Sequence, residues 1–286
     1  QEVITVKRKM PSAIKGIAVH TILLVSSIVI AFPFLWMLTN SIKTKAEIWQ
    51  IPPKLLPSTP QWNNYAIALA DGTLFTYIWN STYTSAIITV IVLINSAMFA
   101  YAITNIKFKG RNLLFVIVMI TYMMPVAATY VPDYIIISRM GLINTHTGYI
   151  LSCTASIFTI FFFRQAFMQI DKSIFEAAKI DGADHKTILW HIVAPMSSSS
   201  FATLGIFTFV GSYNNYLWSS LILKDQKKYL VSMGIQAFFS AEGSYGLNWG
   251  AIMAACCVIV LPLLLIFFIG EKWIINGITS DAVIKG

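Results

Sequence analysis

Charge is what this sequence has least of. Asp, Glu, Lys and Arg make up 11% of its 286 residues, under half of the roughly 25% usual in soluble domains. Six windows carry no formal charge at all: 16–42, 72–106, 112–132, 140–163, 187–223 and 243–270. A water-soluble core cannot hide that much apolar chain, and a mean hydropathy of +0.70 places the protein in lipid. Cysteine is scarce as well. Cys153, Cys256 and Cys257 all sit inside apolar runs, which excludes a disulfide framework and offers no metal-ligand spacing. No Gly-x4-Gly-Lys-Ser/Thr loop occurs, so nucleotide binding by that motif is excluded. The centres of the windows lack Asp, Glu, Lys and Arg, which argues against a proton- or sodium-driven carrier. His20 is the one imidazole in a span, near its end, where an interfacial role is the ordinary one. The first apolar run is also too long for a cleavable leader.

What is present organises itself around those windows. Each is long enough for one spanning helix of about 20 residues. The expectation is an all-α membrane protein of six spans near 15–38, 77–104, 112–131, 148–166, 198–221 and 248–270, forming one transmembrane domain over residues 1–286. The net charge of +8 comes from bases scattered between apolar runs, unlike the single basic face of a nucleic-acid binder. With the N-terminus inside, the cytoplasmic segments hold Lys7, Arg8, Lys9, Lys15, Lys107, Lys109, Arg111, Arg164, Lys172, Lys179, Lys186, Lys272 and Lys285. The outside then holds Lys43, Lys45, Lys54, Arg139, Lys224, Lys227 and Lys228, a minority, which sets both termini in the cytoplasm. Pro33, Pro125 and Pro262 are expected to kink spans one, three and six. The pairs Ser96/Ala100 and Gly250/Ala254 permit close helix packing.

One long charged segment separates the fourth and fifth windows, Ser173–Pro195. Ser173 with Glu176 three residues on reads as a capping box. Ile174, Ala177, Ala178 and Asp181 follow at helical spacing, with a flat small-residue patch at the two alanines. Gly182 is placed to stop that helix in the left-handed conformation. A second short helix is expected from Asp184 to His191, with Pro195 opening the next element. By periodicity alone this is a helical hairpin lying on a membrane surface.

The residue identities say more. Glu176-Ala177-Ala178, Gly182, Ile192 and Pro195, extended by Asp181-Gly182-Ala183, resemble the E-A-A-x3-G-x9-I-x-L-P signature of the membrane subunits of ABC importers. Ala194 stands in place of the usual leucine, and Asp171 where such loops often carry proline. The resemblance implies the type I importer permease fold and makes residues 171–195 a coupling loop that docks into an ATPase cleft. It also implies the partners: a second permease subunit, two cytoplasmic ATPase subunits carrying ATP and Mg, and an extracytoplasmic solute-binding protein. No catalytic residue, metal or cofactor is expected in this chain itself.

Three further stretches resemble carbohydrate permeases of the maltose type. They are the proline-rich external loop (Ser41-Ile42-Lys43, Glu47, Pro52-Pro53, Pro57, Asn64-Tyr65), the amide-rich run in span five, and the tail GITSDAVIKG within 271–286. In span five, Tyr213, Asn214, Asn215 and Trp218 are candidates for the wall of a sugar path, since amides and aromatic faces suit hydroxyl-bearing rings. Hydrogen bonding between helices is the competing use of the same amides. The expected function is membrane translocation of a sugar or oligosaccharide driven by separate ATPases, with an ion-coupled or passive carrier as the alternative.

Overall fold

The structure, a computed structural model, describes residues 12–236 and 248–283, with side chains from Gly16 through Trp273 apart from Ala18. The basic residues Lys7, Arg8 and Lys9, residues 237–247 and the last tail residues 284–286 lie outside the described residues. Helix α1 is Ser12–Ser41, α2 Lys45–Ile48, α3 Asn63–Leu69, α4 Thr73–Asn105, α5 Arg111–Tyr122, α6 Val126–Arg139, α7 His146–Ser152 and α8 Ile157–Met168. There follow α9 Lys172–Ile180, α10 His185–Thr187, a π-helical segment Ile188–Val193, α11 Ala194–Met196, α12 Ser198–Tyr213, α13 Leu217–Ile222 and α14 Trp249–Val283. No strand occurs among the described residues.

Three helices are long and apolar enough to cross a bilayer as single rods: Val19–Ser41 within α1, α4, and Trp249–Trp273 within α14. Three more spans arise if each of three bent helix pairs counts as one. The expected spans near 148–166 and 198–221 are therefore corrected from continuous rods to broken ones, while span three, near 112–131, breaks at Pro125, where a kink was expected. Span three breaks by 102° between α5 and α6, where Pro125 supplies no N–H and takes an extended ψ of 126°. Span four breaks by 46° between α7 and α8 without a proline, because Ser156 restarts the helix by accepting the Thr159 amide. The third break, 83°, follows Met196. The α12 helix then ends at Tyr213, and α13 restarts at Leu217.

The chain forms two compact units. In the first, residues up to Ala70 pair with 246–258. Asn64 donates to the carbonyls of Ser41 (2.9 Å) and Lys43 (3.0 Å), and Gly250 is needed because a Cβ there would land on the Asn64 amide. Glu47 closes a capping box with Thr44 and accepts the Ser58 amide at 2.8 Å, holding the proline-rich loop in a non-helical course. The buried Lys43 ammonium donates to Asn40 Oδ1 at 2.8 Å and lies 4.6 Å from the Trp36 ring centre. Desolvation lowers its pKa, and the nearby Glu47 carboxylate opposes part of that shift.

In the second unit α4 is central, with α8 and α12 packed along it. Ser96, Ala97 and Ala100 are fully covered, and Gly205 of α12 faces Leu93 and Thr89 of α4. Small residues let the helix backbones approach, the main source of attraction between helices in lipid.

Candidate functional site

The segment between α8 and α12 holds the first candidate. Its opening cap differs from expectation. Asp171, not Ser173, is the N-cap, its carboxylate accepting the Ser173 amide at 2.8 Å. The Ser173–Glu176 capping box is thereby replaced, because the acidic cap two residues earlier takes the Ser173 amide and starts the helix at Lys172, ahead of both residues. Backbone and side-chain hydrogen bonds from Ser173 hold the Asp171 pKa below the usual carboxylate range. At the other end Gly182 has φ +80°. Its N–H bonds to Lys179 O (3.1 Å), and the Ala183 N–H to Ala178 O (2.9 Å), the two bonds of a Schellman stop.

The two faces of α9 do different things. Phe175 and Ala178 are buried in one cluster with Tyr101, Phe163, Phe167, Ile188, Leu189 and Val193. Ala183 and Ile192 pack against the same cluster. Glu176, Ala177, Asp181 and Gly182 are exposed. The small-residue patch expected at Ala177 and Ala178 is therefore split: Ala177 is exposed, and Ala178, about 100° further round the helix, is buried in the chain's own core. Ile180, overlooked in the sequence, is 86% exposed. It stands one turn beyond Glu176 and Ala177, a spacing that would have identified it.

The second short helix also departs from expectation. Asp184 caps it through the Thr187 amide at 2.8 Å, and the Thr187 hydroxyl and amide lower the Asp184 pKa. The helix then widens into the π segment, with Ala194 N–H bonding to Leu189 O. Pro195 falls in the first turn of α11, directly after the π segment, as its position in the sequence leads one to expect. A proline ring crowds the carbonyl four residues back, and the wider turn just before it relieves that crowding.

The second candidate is a cavity of about 720 Å³ at the opposite ends of α8 and α12. Of the four sugar-path candidates, Asn215 and Trp218 line it, and Tyr213 and Asn214 do not. Tyr213 is wholly buried, its hydroxyl donating to Ile259 O at 3.0 Å. Asn214 is exposed at the end of α12. Asn215 Oδ1 accepts the Trp218 amide at 3.2 Å, which starts α13. Trp218 Nε1 donates to Ser152 Oγ at 2.8 Å, and the Tyr130 ring stacks on Trp218 with centroids 5.5 Å apart. Tyr130 and Asp133 reach the cavity through the break at Pro125. The signal for them was an i, i+3 pair immediately after a helix-breaking proline.

An apolar helical body, a capped surface helix between two spans and, at their far ends, a mainly apolar cavity bearing hydroxyl and amide groups define a membrane permease subunit. Residues 94–279 match the family described as the binding-protein-dependent transport system inner membrane component, and the chain belongs to that family. It is similar to the diacetylchitobiose uptake system permease protein NgcG of Streptomyces coelicolor, 31% identical over 91% of this chain and 86% of that protein. The sn-glycerol-3-phosphate transport system permease protein UgpE of Yersinia enterocolitica is 29% identical over 92% of this chain and 95% of its own. The fold is that of type I ABC importer permeases. It matches a chain of a crystal structure of a bacterial ABC transporter involved in the import of the acidic polysaccharide alginate, with TM-score 0.78 and 22% identity across 92% of this chain and 98% of that one. The protein is thus an inner-membrane transport component that works with a binding protein, and not an enzyme.

Proposed function

We propose that this subunit carries a sugar or oligosaccharide into the cytoplasm, paired with a second permease and driven by two cytoplasmic ATPase subunits that hold ATP and Mg. Residues 1–286 act as one permease domain with both termini in the cytoplasm, and the tail at 271–286 extends toward the ATPases. The loop at 171–195 is the coupling element. Glu176, Ala177, Ile180, Asp181 and Gly182 form its docking face, while Ala178, Ala183 and Ile192 tie it to the spans. The observation that carries this reading is the two-sided α9. Its inner face is locked to α8 and α4 through Phe175, and its outer face ends in an exposed isoleucine. The similarity to a diacetylchitobiose permease supports a carbohydrate cargo, as does a cavity lined with aromatic, amide and hydroxyl groups.

The test is reconstitution in vesicles with co-purification of the ATPase as the binding readout. Ile180→Asp should release the ATPase or uncouple hydrolysis from sugar uptake while membrane insertion persists. Wild-type coupling in that variant would overturn the docking face. Single cysteines at positions 54 and 109 report the topology. An impermeant thiol reagent should label the first in intact cells and spare the second, and the reverse pattern would invert the orientation.

A further inference from the structure

The relatives leave the charge of the cargo open, since one is a permease for a neutral disaccharide and another for a phosphate ester. The cavity lining speaks to it. Among the described lining residues there is no Lys, Arg or His, and Asp133 carries the only formal charge. Asp133 makes no hydrogen bond or ion pair among the described residues and is partly exposed, so its carboxylate is free to receive a ligand. One turn before it on α6 stands Tyr130, half-buried. That ring is backed by the buried Trp218, which is itself held by Ser152. The result is a braced aromatic plate beside an unpaired carboxylate, with the hydroxyls of Thr129, Ser156 and Thr208 around the same space. The volume of about 720 Å³ falls within the roughly 300–1,000 Å³ of small-molecule sites.

We infer that this cavity is a selectivity site for uncharged sugar rings: Tyr130 stacks against a ring face, and Asp133 accepts its hydroxyls and rejects anionic sugars. The inference rests on the carbohydrate-import reading and adds to it a site on this subunit and a charge rule. An aromatic face beside C–H groups and a carboxylate accepting two O–H donors together suit a polyol ring. The same carboxylate repels a uronate or a phosphate, and no cationic side chain in the described lining compensates it. Charge-assisted hydrogen bonds are stronger than neutral ones, so their loss should be visible in KM.

The experiment uses the complete importer in proteoliposomes, with N,N′-diacetylchitobiose, lactose and maltose as neutral probes and sn-glycerol-3-phosphate and an alginate oligosaccharide as anionic ones. The wild type should import at least one neutral probe and neither anion. Asp133→Asn should raise KM for that neutral probe on the order of tenfold. Tyr130→Leu should do the same, and Tyr130→Phe, which keeps the ring, should restore it. ATPase co-purification should stay unchanged in all three, which separates loss of the site from loss of assembly. Unaltered KM in Asp133→Asn and Tyr130→Leu overturns the site while the importer reading stands. Import of an anionic probe by the wild type, or of no neutral probe although the complex hydrolyses ATP, overturns the charge rule. Failure of the wild-type chain to assemble with an ATPase strikes the underlying reading instead.

Discussion

Gly182 offers a direct test of how α9 is held. Its φ is +80°, and a Cβ added there meets no atom within 4 Å. A side chain would therefore be penalised by backbone conformation and not by a clash. For alanine that penalty is roughly 1–2 kcal/mol, a factor of about 5–30 in any equilibrium that opens the Schellman stop. Asparagine tolerates the left-handed region better, and valine worse. The amide of Ala183, bonded to Ala178 O at 2.9 Å, reports the opening directly. Its hydrogen-exchange protection should fall in the order Gly, Asn, Ala, Val, with Ala lower than Gly by that same factor. Sugar imported per ATP hydrolysed should fall in the same order. Equal protection in Gly182→Val and wild type would refute the strain argument. Asn as damaging as Val would mean that any side chain is excluded by the partner surface and that φ is not the cause.

Two further outcomes follow from hydrogen bonds in the same unit. Tyr213→Phe removes the donor to Ile259 O and should lower thermal stability by about 1 kcal/mol without changing sugar KM, and a KM change with stability intact would return Tyr213 to the sugar path. Asp171 and Asp184 have folded pKa values below their unfolded ones, so their capping contributes fully above about pH 4 and is lost only as pH falls through the lowered values. Protease nicking of residues 171–196 should therefore be flat from neutral pH down to about pH 4, and a rise already at pH 6 would contradict the assignment.

The sequence made the lipid-facing composition plain, because charge-free windows have no other physical use at this length. Gly182 was equally legible, since a left-handed stop needs glycine. The cap was not. Asp171 and Ser173 are both good capping residues two positions apart, and local preference cannot choose between them. Nor could periodicity separate Ala177 from Ala178. Which alanine faces inward depends on Phe163, Phe167 and Tyr101, which arrive from other spans. The cavity was half visible for a similar reason. Asn215 and Trp218 stood out as polar and aromatic residues in an apolar run, whereas Asp133 sat just past the third window and looked like part of an external loop. Only the 102° turn at Pro125 carries it to the cavity. Proline predicts that a helix breaks, but the direction of the break belongs to tertiary packing.

The shared use of α8 has a kinematic consequence. Its last turns belong to the cluster that grips α9, while Ile157, Phe158 and Thr159 at its start line the cavity. Twelve residues of unbroken helix make a strut about 18 Å long. With no break inside it, tilting that strut by about 10° sweeps its far end by about 3 Å, on the scale of one helix rise of two residues. The bend before Ser156 marks where the strut ends, so motion imposed at α9 would arrive at the cavity wall undiminished and could dissipate only beyond it.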